Sequence, residues 1–153
     1  MTETVSVTTT IEAPAEKVWE MITDLRRMGE WSPEATGGVW LDGAESAKEG
    51  ARFKGTNKNG SKSWDTTATI TGAVPGRLFA FRVTSVGFKV SEWRYEIEDA
   101  ENGCTVTEIW IDERNAFVKL LGKPVSGVAD RTRHNRAGME ATLAALKHAL
   151  ESA

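Results

Sequence analysis

The stretch RTRHNRAGMEATLAALKHALES, residues 131–152, decides the fold. Met139, Leu143, Leu146 and Leu150 recur at spacings of four, three and four, which on a helix places them along one stripe. Helix propensity is high from Met139 onwards, and Gly138 costs about 1 kcal/mol relative to alanine. At about 1.5 Å per residue such a helix reaches roughly 35 Å, enough to cross a whole sheet. Carried backwards, the stripe meets Asn135, Thr132 and Val128, so the N-terminal half turns small and polar atoms inward. A helix that only filled a core would carry large apolar residues there too.

The chain of 153 residues fits one domain, residues 1–153, with 40% hydrophobic and 27% charged residues. Nineteen basic against 22 acidic residues give a net charge of −3, with no basic block or stripe, so neither nucleic acid nor an anionic membrane surface is an expected partner by charge. Cys104 is the single cysteine, so no intrachain disulfide forms. With no apolar run of spanning length and no charged-then-apolar leader, the expectation is a cytoplasmic protein without stable membrane insertion. Six tryptophans beside one tyrosine and five phenylalanines are a heavy aromatic load. Each tryptophan has an apolar body and one N–H that wants a partner, which suits a cavity wall as well as a core.

Val5, Val7, Thr9 and Ile11 alternate with Ser6, Thr8, Thr10 and Glu12, the period of a strand with one buried face. Pro14 suits a first helical position, and Val18, Met21, Ile22 and Leu25 follow at helical spacing. Asp24 is placed to cap a second short helix that Gly29 stops, just before Trp31. From Glu34 to Glu113 the turn signals Gly43 to Gly50, Asn59-Gly60, Pro75-Gly76, Gly87 and Asn102-Gly103 divide six strands of a meander.

If each turn sits on its signal, the cross-strand partners follow. Phe53 faces Thr66, Gly55 faces Trp64, Ile70 faces Phe81, Ala68 faces Val83, Phe79 faces Trp93, Ile97 faces Glu108 and Tyr95 faces Trp110. All lie on one face, which reads Phe53, Trp64, Thr66, Ala68, Ile70, Phe79, Phe81, Val83, Trp93, Tyr95, Ile97, Val106, Glu108 and Trp110. The other face is mostly polar, with Phe88, Val90, Ile109 and Ile111 as apolar exceptions. Residues 114–127, with Phe117, Val118, Leu120, Leu121, Gly122 and Pro124, read as a short connecting helix over the mouth, with a moving gate as the alternative.

The order of strand, two short helices, six-stranded meander and long helix resembles the START-related helix-grip superfamily, and within it the polyketide cyclase/dehydrase and lipid transport family. The resemblance rests on Ile11-Glu12-Ala13-Pro14-Ala15-Glu16-Lys17-Val18-Trp19, Trp31-Ser32-Pro33, Gly50-Ala51-Arg52-Phe53, Trp93-Arg94-Tyr95, Gly103-Cys104-Thr105-Val106-Thr107-Glu108 and Met139-Glu140-Ala141-Thr142-Leu143. It implies an α+β fold: a seven-stranded curved antiparallel sheet wrapped around the C-terminal helix, enclosing a hydrophobic cavity. Aromatic cyclases of the family place a tyrosine after the entry helices and an arginine on an early inward strand position. Here those regions read Trp31-Ser32-Pro33-Glu34-Ala35 and Trp64-Asp65-Thr66-Thr67, with neither residue type, so no catalytic role carries over.

Glu108 is the acidic residue on the inward face. Desolvated there it is a candidate catalytic acid or base, or a polar anchor; the favoured reading has it at a wet mouth or paired with a cation. His134 reads as a rim residue, since no neighbour in sequence resembles an orienting carboxylate, and Asn135 points inward. Two histidines and one cysteine make a metal site unexpected, and no cofactor motif is present. The expected ligand-binding residues are Trp31, Phe53, Trp64, Phe79, Phe81, Trp93, Tyr95, Glu108, Trp110, Asn135 and Met139. The expected function is binding or transport of a hydrophobic small molecule such as a lipid, polyketide or isoprenoid. A cyclase or dehydratase acting in the same cavity is the second reading, and a chaperone-activator-like interaction module with a closed cavity the third.

Overall fold

The computed structural model describes residues 3–152. Strand β1 (Thr4–Ile11) leads into α1 (Ala15–Ile22) and a 3-10 helix (Leu25–Glu30). The meander follows as β2 (Ala35–Trp40), β3 (Arg52–Asn59), β4 (Lys62–Val74), β5 (Leu78–Ser85), β6 (Phe88–Ala100) and β7 (Gly103–Asp112). Helices α2 (Ala116–Ser126) and α3 (Arg131–Glu151) complete the chain. The strands make one open sheet in the order β1-β7-β6-β5-β4-β3-β2, so each meander strand lies beside its sequence neighbour and β1 closes onto β7. Two entry details differ from expectation. Pro14 sits one position earlier, at the N-cap of α1, and Asp24 holds the N-cap position of the 3-10 helix without a side-chain bond.

The expected inward face is the observed one, yet three of the four hairpins pair differently from the turn-based reading. Phe53 faces Ala68, Gly55 faces Thr66 and Asn57 faces Trp64, because the loop is Gly60-Ser61. Ile97 faces Val106 and Tyr95 faces Glu108, because the loop is Glu101-Asn102. Moving a two-residue loop by one position moves the register by two, which returns every side chain to the same face. At the Pro75-Gly76 turn the loop runs through Arg77, and a register shift between Ile70 and Gly72 restores Ile70 opposite Phe81 and Ala68 opposite Val83, as expected. In the β5–β6 hairpin the loop is Val86-Gly87, and a shift between Val83 and Thr84 sets Phe81 opposite Trp93 and Phe79 opposite Tyr95. Such bulges reverse the alternation locally. Between bulge and loop, Phe88 and Val90 therefore border the cavity instead of lying outside as expected.

Helix α3 changes partner along its length. Leu143 and Leu146 are buried with Ile11, Val18, Phe79, Ile97 and Val106 in the main core, where α1 also packs. Met139 belongs to a smaller cluster with Val5 and Trp110. Asp130 caps the helix, its side chain accepting from the Arg133 amide at 3.1 Å. An aromatic chain runs through the core from Trp19 to Phe79 and Phe81, then Phe53 and Trp40, with ring centroids 5.3–6.0 Å apart. These edge-on and tilted contacts give the inner wall its stiffness.

Phe79 and Trp64 share the inner face but not its packing: Phe79 is 0% exposed within the core, while Trp64 is half-buried against open space. Phe79→Ala is expected to cost about 3–5 kcal/mol in urea unfolding, and Trp64→Ala markedly less. Equal losses would contradict the division of α3 and the sheet into a packed end and a hollow end.

Candidate functional site

At the N-terminal half of α3 the sheet and helices enclose a cavity of about 560 Å³, within the roughly 300–1,000 Å³ usual for small-molecule sites. Strand side chains Phe53, Trp64, Phe81, Trp93, Tyr95 and Trp110 form its wall, Trp31 closes one side, and Asn135, Gly138 and Met139 of α3 face them. Phe79 is not part of the wall. Its ring lies 6.0 Å from Trp19, 5.3 Å from Phe81 and 6.5 Å from Tyr95, enclosed in the core. The other expected binding residues all border the cavity. The helix expected over the mouth from residues 114–127 is α2, whose Phe117, Leu121 and Val125 edge it, while sequence reading missed Met28, Glu34 and Arg131. The apolar run of α2 was a visible signal. Glu34 and Arg131 had none, because their relation spans 97 residues.

Glu108 is neither at a wet mouth nor paired with a cation. It is 3% exposed, and its Oε1 has no hydrogen-bond partner among the described residues. The reason is register: β7 sets Glu108 between Val7 of β1 and Tyr95 of β6, with no basic side chain opposite on either strand. Burial raises its pKa from 4.5 to about 8, and only the Tyr95 hydroxyl acts in the other direction. Burial and the Glu108 carboxyl in turn push the Tyr95 phenol well above its usual 10. At neutral pH the pair is therefore an uncharged carboxylic acid beside an uncharged phenol. The acid offers the cavity a proton donor and an acceptor oxygen, the two functions of an anchor or of an acid/base.

A second polar group lies towards the mouth. Arg131 donates from Nη1 to both Glu34 oxygens at 2.7 and 2.9 Å and to Asn135 Oδ1 at 3.2 Å. His134 Nε2 stands 3.1 Å from Glu34 Oε2, so the histidine does have an orienting carboxylate, brought from β2's approach rather than from its own helix. His134 keeps its expected place at the rim, with 38% of its side chain exposed. Because Asn135 Oδ1 is taken by Arg131, the side-chain N–H groups of this 6%-exposed residue are what it can offer to the cavity. Across the mouth, Arg114 donates to both oxygens of Asp112, at 2.9 and 3.0 Å, and burial in that pair leaves neither charge free. Among the described residues no group of three histidine, cysteine or acidic side chains is placed to hold a metal.

A long helix laid across an open antiparallel sheet, with an aromatic cavity between them, defines a helix-grip domain. The chain belongs to the polyketide cyclase/dehydrase and lipid transport family, whose model matches residues 2–151. It is similar to the Polyketide_cyc-like protein Cgl2372 from Corynebacterium glutamicum, with 27% identity, a TM-score of 0.64, and coverage of 99% of this chain and 93% of that one. The fold is shared with DynU16, a putative protein in the dynemicin biosynthetic locus, at 20% identity and a TM-score of 0.65, over 97% of this chain and 47% of that one. It is shared too with Aha1 from Colwellia psychrerythraea, solved as a dimer, at 16% identity and a TM-score of 0.69, over 97% of this chain and 96% of that one. Among curated proteins none matches the chain.

The raised Glu108 pKa sets a pH signature. Between pH 4.5 and about 8 the unfolded chain loses the proton that the folded protein retains, so folding stability falls as pH rises through that window and levels above it. Glu108→Gln removes the titration. In thermal unfolding across this range, the variant is expected to gain on the parent steadily from pH 5 to 8. A constant difference at all pH values would contradict a buried neutral acid.

Proposed function

We propose that the protein binds or carries a hydrophobic small molecule of the lipid, polyketide or isoprenoid kind in this cavity, with the Glu108 carboxylic acid as its inner polar contact. The observation that carries the reading is the solitary buried oxygen of Glu108 within an aromatic enclosure of about 560 Å³. A buried polar atom left without a partner costs stability unless something supplies one, and none of the described residues supplies it. A ligand hydroxyl or carbonyl would. The tryptophan and phenylalanine faces would hold the apolar body, with Asn135 as a second polar contact nearer the mouth. The family's description, which includes lipid transport, is consistent with this.

The same acid supports a second reading, cyclase or dehydratase chemistry in the cavity. A carboxyl that titrates near pH 8 exchanges protons readily at neutral pH, which general acid/base work requires. A chaperone-activator-like module would instead have a closed cavity and use the outer apolar residues Ile109 and Ile111 as an exposed contact patch. Both isoleucines are half-buried and the cavity is open, so it has no support here.

Native mass spectrometry of gently purified protein, followed by solvent extraction, is expected to release an apolar compound bearing a hydroxyl or carbonyl group. Titrating that compound into stripped protein should quench tryptophan fluorescence, and Trp64→Ala and Glu108→Gln should each weaken binding about tenfold, on the order of the 1–3 kcal/mol of a lost buried contact. If Glu108→Gln binds normally while converting none of the compound, the second reading replaces the first. No extracted compound and no binding across a panel of apolar ligands would overturn both.

A further inference from the structure

The outside of the cavity mouth is as distinctive as its lining. Most of the large hydrophobic side chains left exposed among the described residues gather there: Val86 and Phe88 at the β5–β6 tip, and Phe117, Leu120, Leu121 and Val125 along α2. Only Val39 and Val74 lie elsewhere. The Phe88 and Phe117 rings meet at 5.8 Å and join the two segments into one patch. The β3–β4 tip adjoins it, since Asn59 Nδ2 donates to the Ser126 carbonyl at 2.8 Å and fixes the end of α2 against that hairpin. Contiguous exposed apolar surface of this kind marks a docking site.

Val86 strengthens the case. It is 94% exposed and holds φ 51°, next to Gly87 at φ 81°. A two-residue hairpin loop with both residues left-handed favours Asn-Gly, and a β-branched residue there is strained. Neither burial nor backbone preference accounts for a valine at this tip, whereas contact with an apolar phase does.

The charge around the patch selects the phase. Segments 58–62, 86–89 and 114–126 carry Lys58, Lys62, Lys89, Arg114, Lys119 and Lys123 and no aspartate or glutamate, in a chain whose net charge is −3. Arg114 is neutralised by Asp112, with Lys119 at 3.9 Å from the same carboxylate. Lys58, Lys62 and Lys89 form a basic margin to an apolar rim, the pattern of surfaces that lie on anionic bilayers. Read along the chain there is no basic block or stripe, and on that ground a membrane partner was not expected; the margin is assembled from lysines of separate segments.

We propose that the mouth, formed by α2 and the β5–β6 tip, docks reversibly on an anionic membrane surface, setting the cavity opening against the lipid. No helix among the described residues is long and apolar enough to cross a membrane, so the contact is interfacial. The inference does not depend on what the cavity holds.

Flotation with vesicles of phosphatidylcholine, with and without phosphatidylglycerol, tests it on the full chain. Binding is expected to the anionic vesicles and to fall at high salt. Leu120→Asp, outside the cavity wall, should abolish it, and Lys62→Glu and Lys89→Glu should each lower the partition about fivefold or more. Val86→Asn should weaken binding while raising the melting temperature, a pairing that a purely structural role for Val86 would not produce. Absence of binding to anionic vesicles overturns the proposal. So does concentration-dependent self-association that Leu120→Asp removes without vesicle binding in the parent, which would make the patch an interface between copies. Bound compound measured by mass spectrometry in Leu120→Asp should match the parent, so failure of docking and failure of the carrier reading are told apart.

Discussion

The protein is organised by what α3 does to the sheet beneath it. Beyond Met139, Leu143 and Leu146 reach into the main core and exclude water. Before it, Asn135 and Gly138 present too little volume to meet Trp64, Trp93 and Trp110, and their short side chains leave the aromatic wall facing space. A rigid helix cannot bend to close that gap without losing the leucine contacts, and packed interiors do not stretch. The hollow is thus a consequence of side-chain size along one helix, stabilised by the tightly packed half.

Within the hollow the energetics are those of isolation. Glu108 is stranded by β-sheet register between Val7 and Tyr95, and burial keeps it protonated instead of charged. By contrast Glu34, nearer the mouth, holds Arg131 in two hydrogen bonds and His134 at 3.1 Å. Two carboxyl groups line one cavity in different surroundings, one neutral with an unpartnered oxygen, the other held by Arg131 and His134. Environment alone separates them, and the neutral one has capacity left for a ligand.

The mouth adds a third environment. Apolar side chains that a folding chain would prefer to bury stand exposed on α2 and the neighbouring hairpin tip, bordered by lysines. The interior and the rim suit the same kind of molecule, one that partitions out of water.

The sequence alone determined the order of elements, the identity of the inward face and the hollow half of α3. These depend on periods of 2 and 3.6, and a period survives errors of position: three hairpin registers differ from the turn signals by two residues, and every inward residue still points inward. Where a loop would have reversed the face, a bulge reversed it back, except for Phe88 and Val90, caught between bulge and loop. What pairs with what was left to the tertiary structure. Tyr95 beside Glu108, Phe79 inside the core rather than the wall, and Glu34 reaching His134 across 100 residues all depend on which atoms the folded chain brings within a few ångströms. Local pattern carries no record of such distances, because they are set by the packing of every element at once.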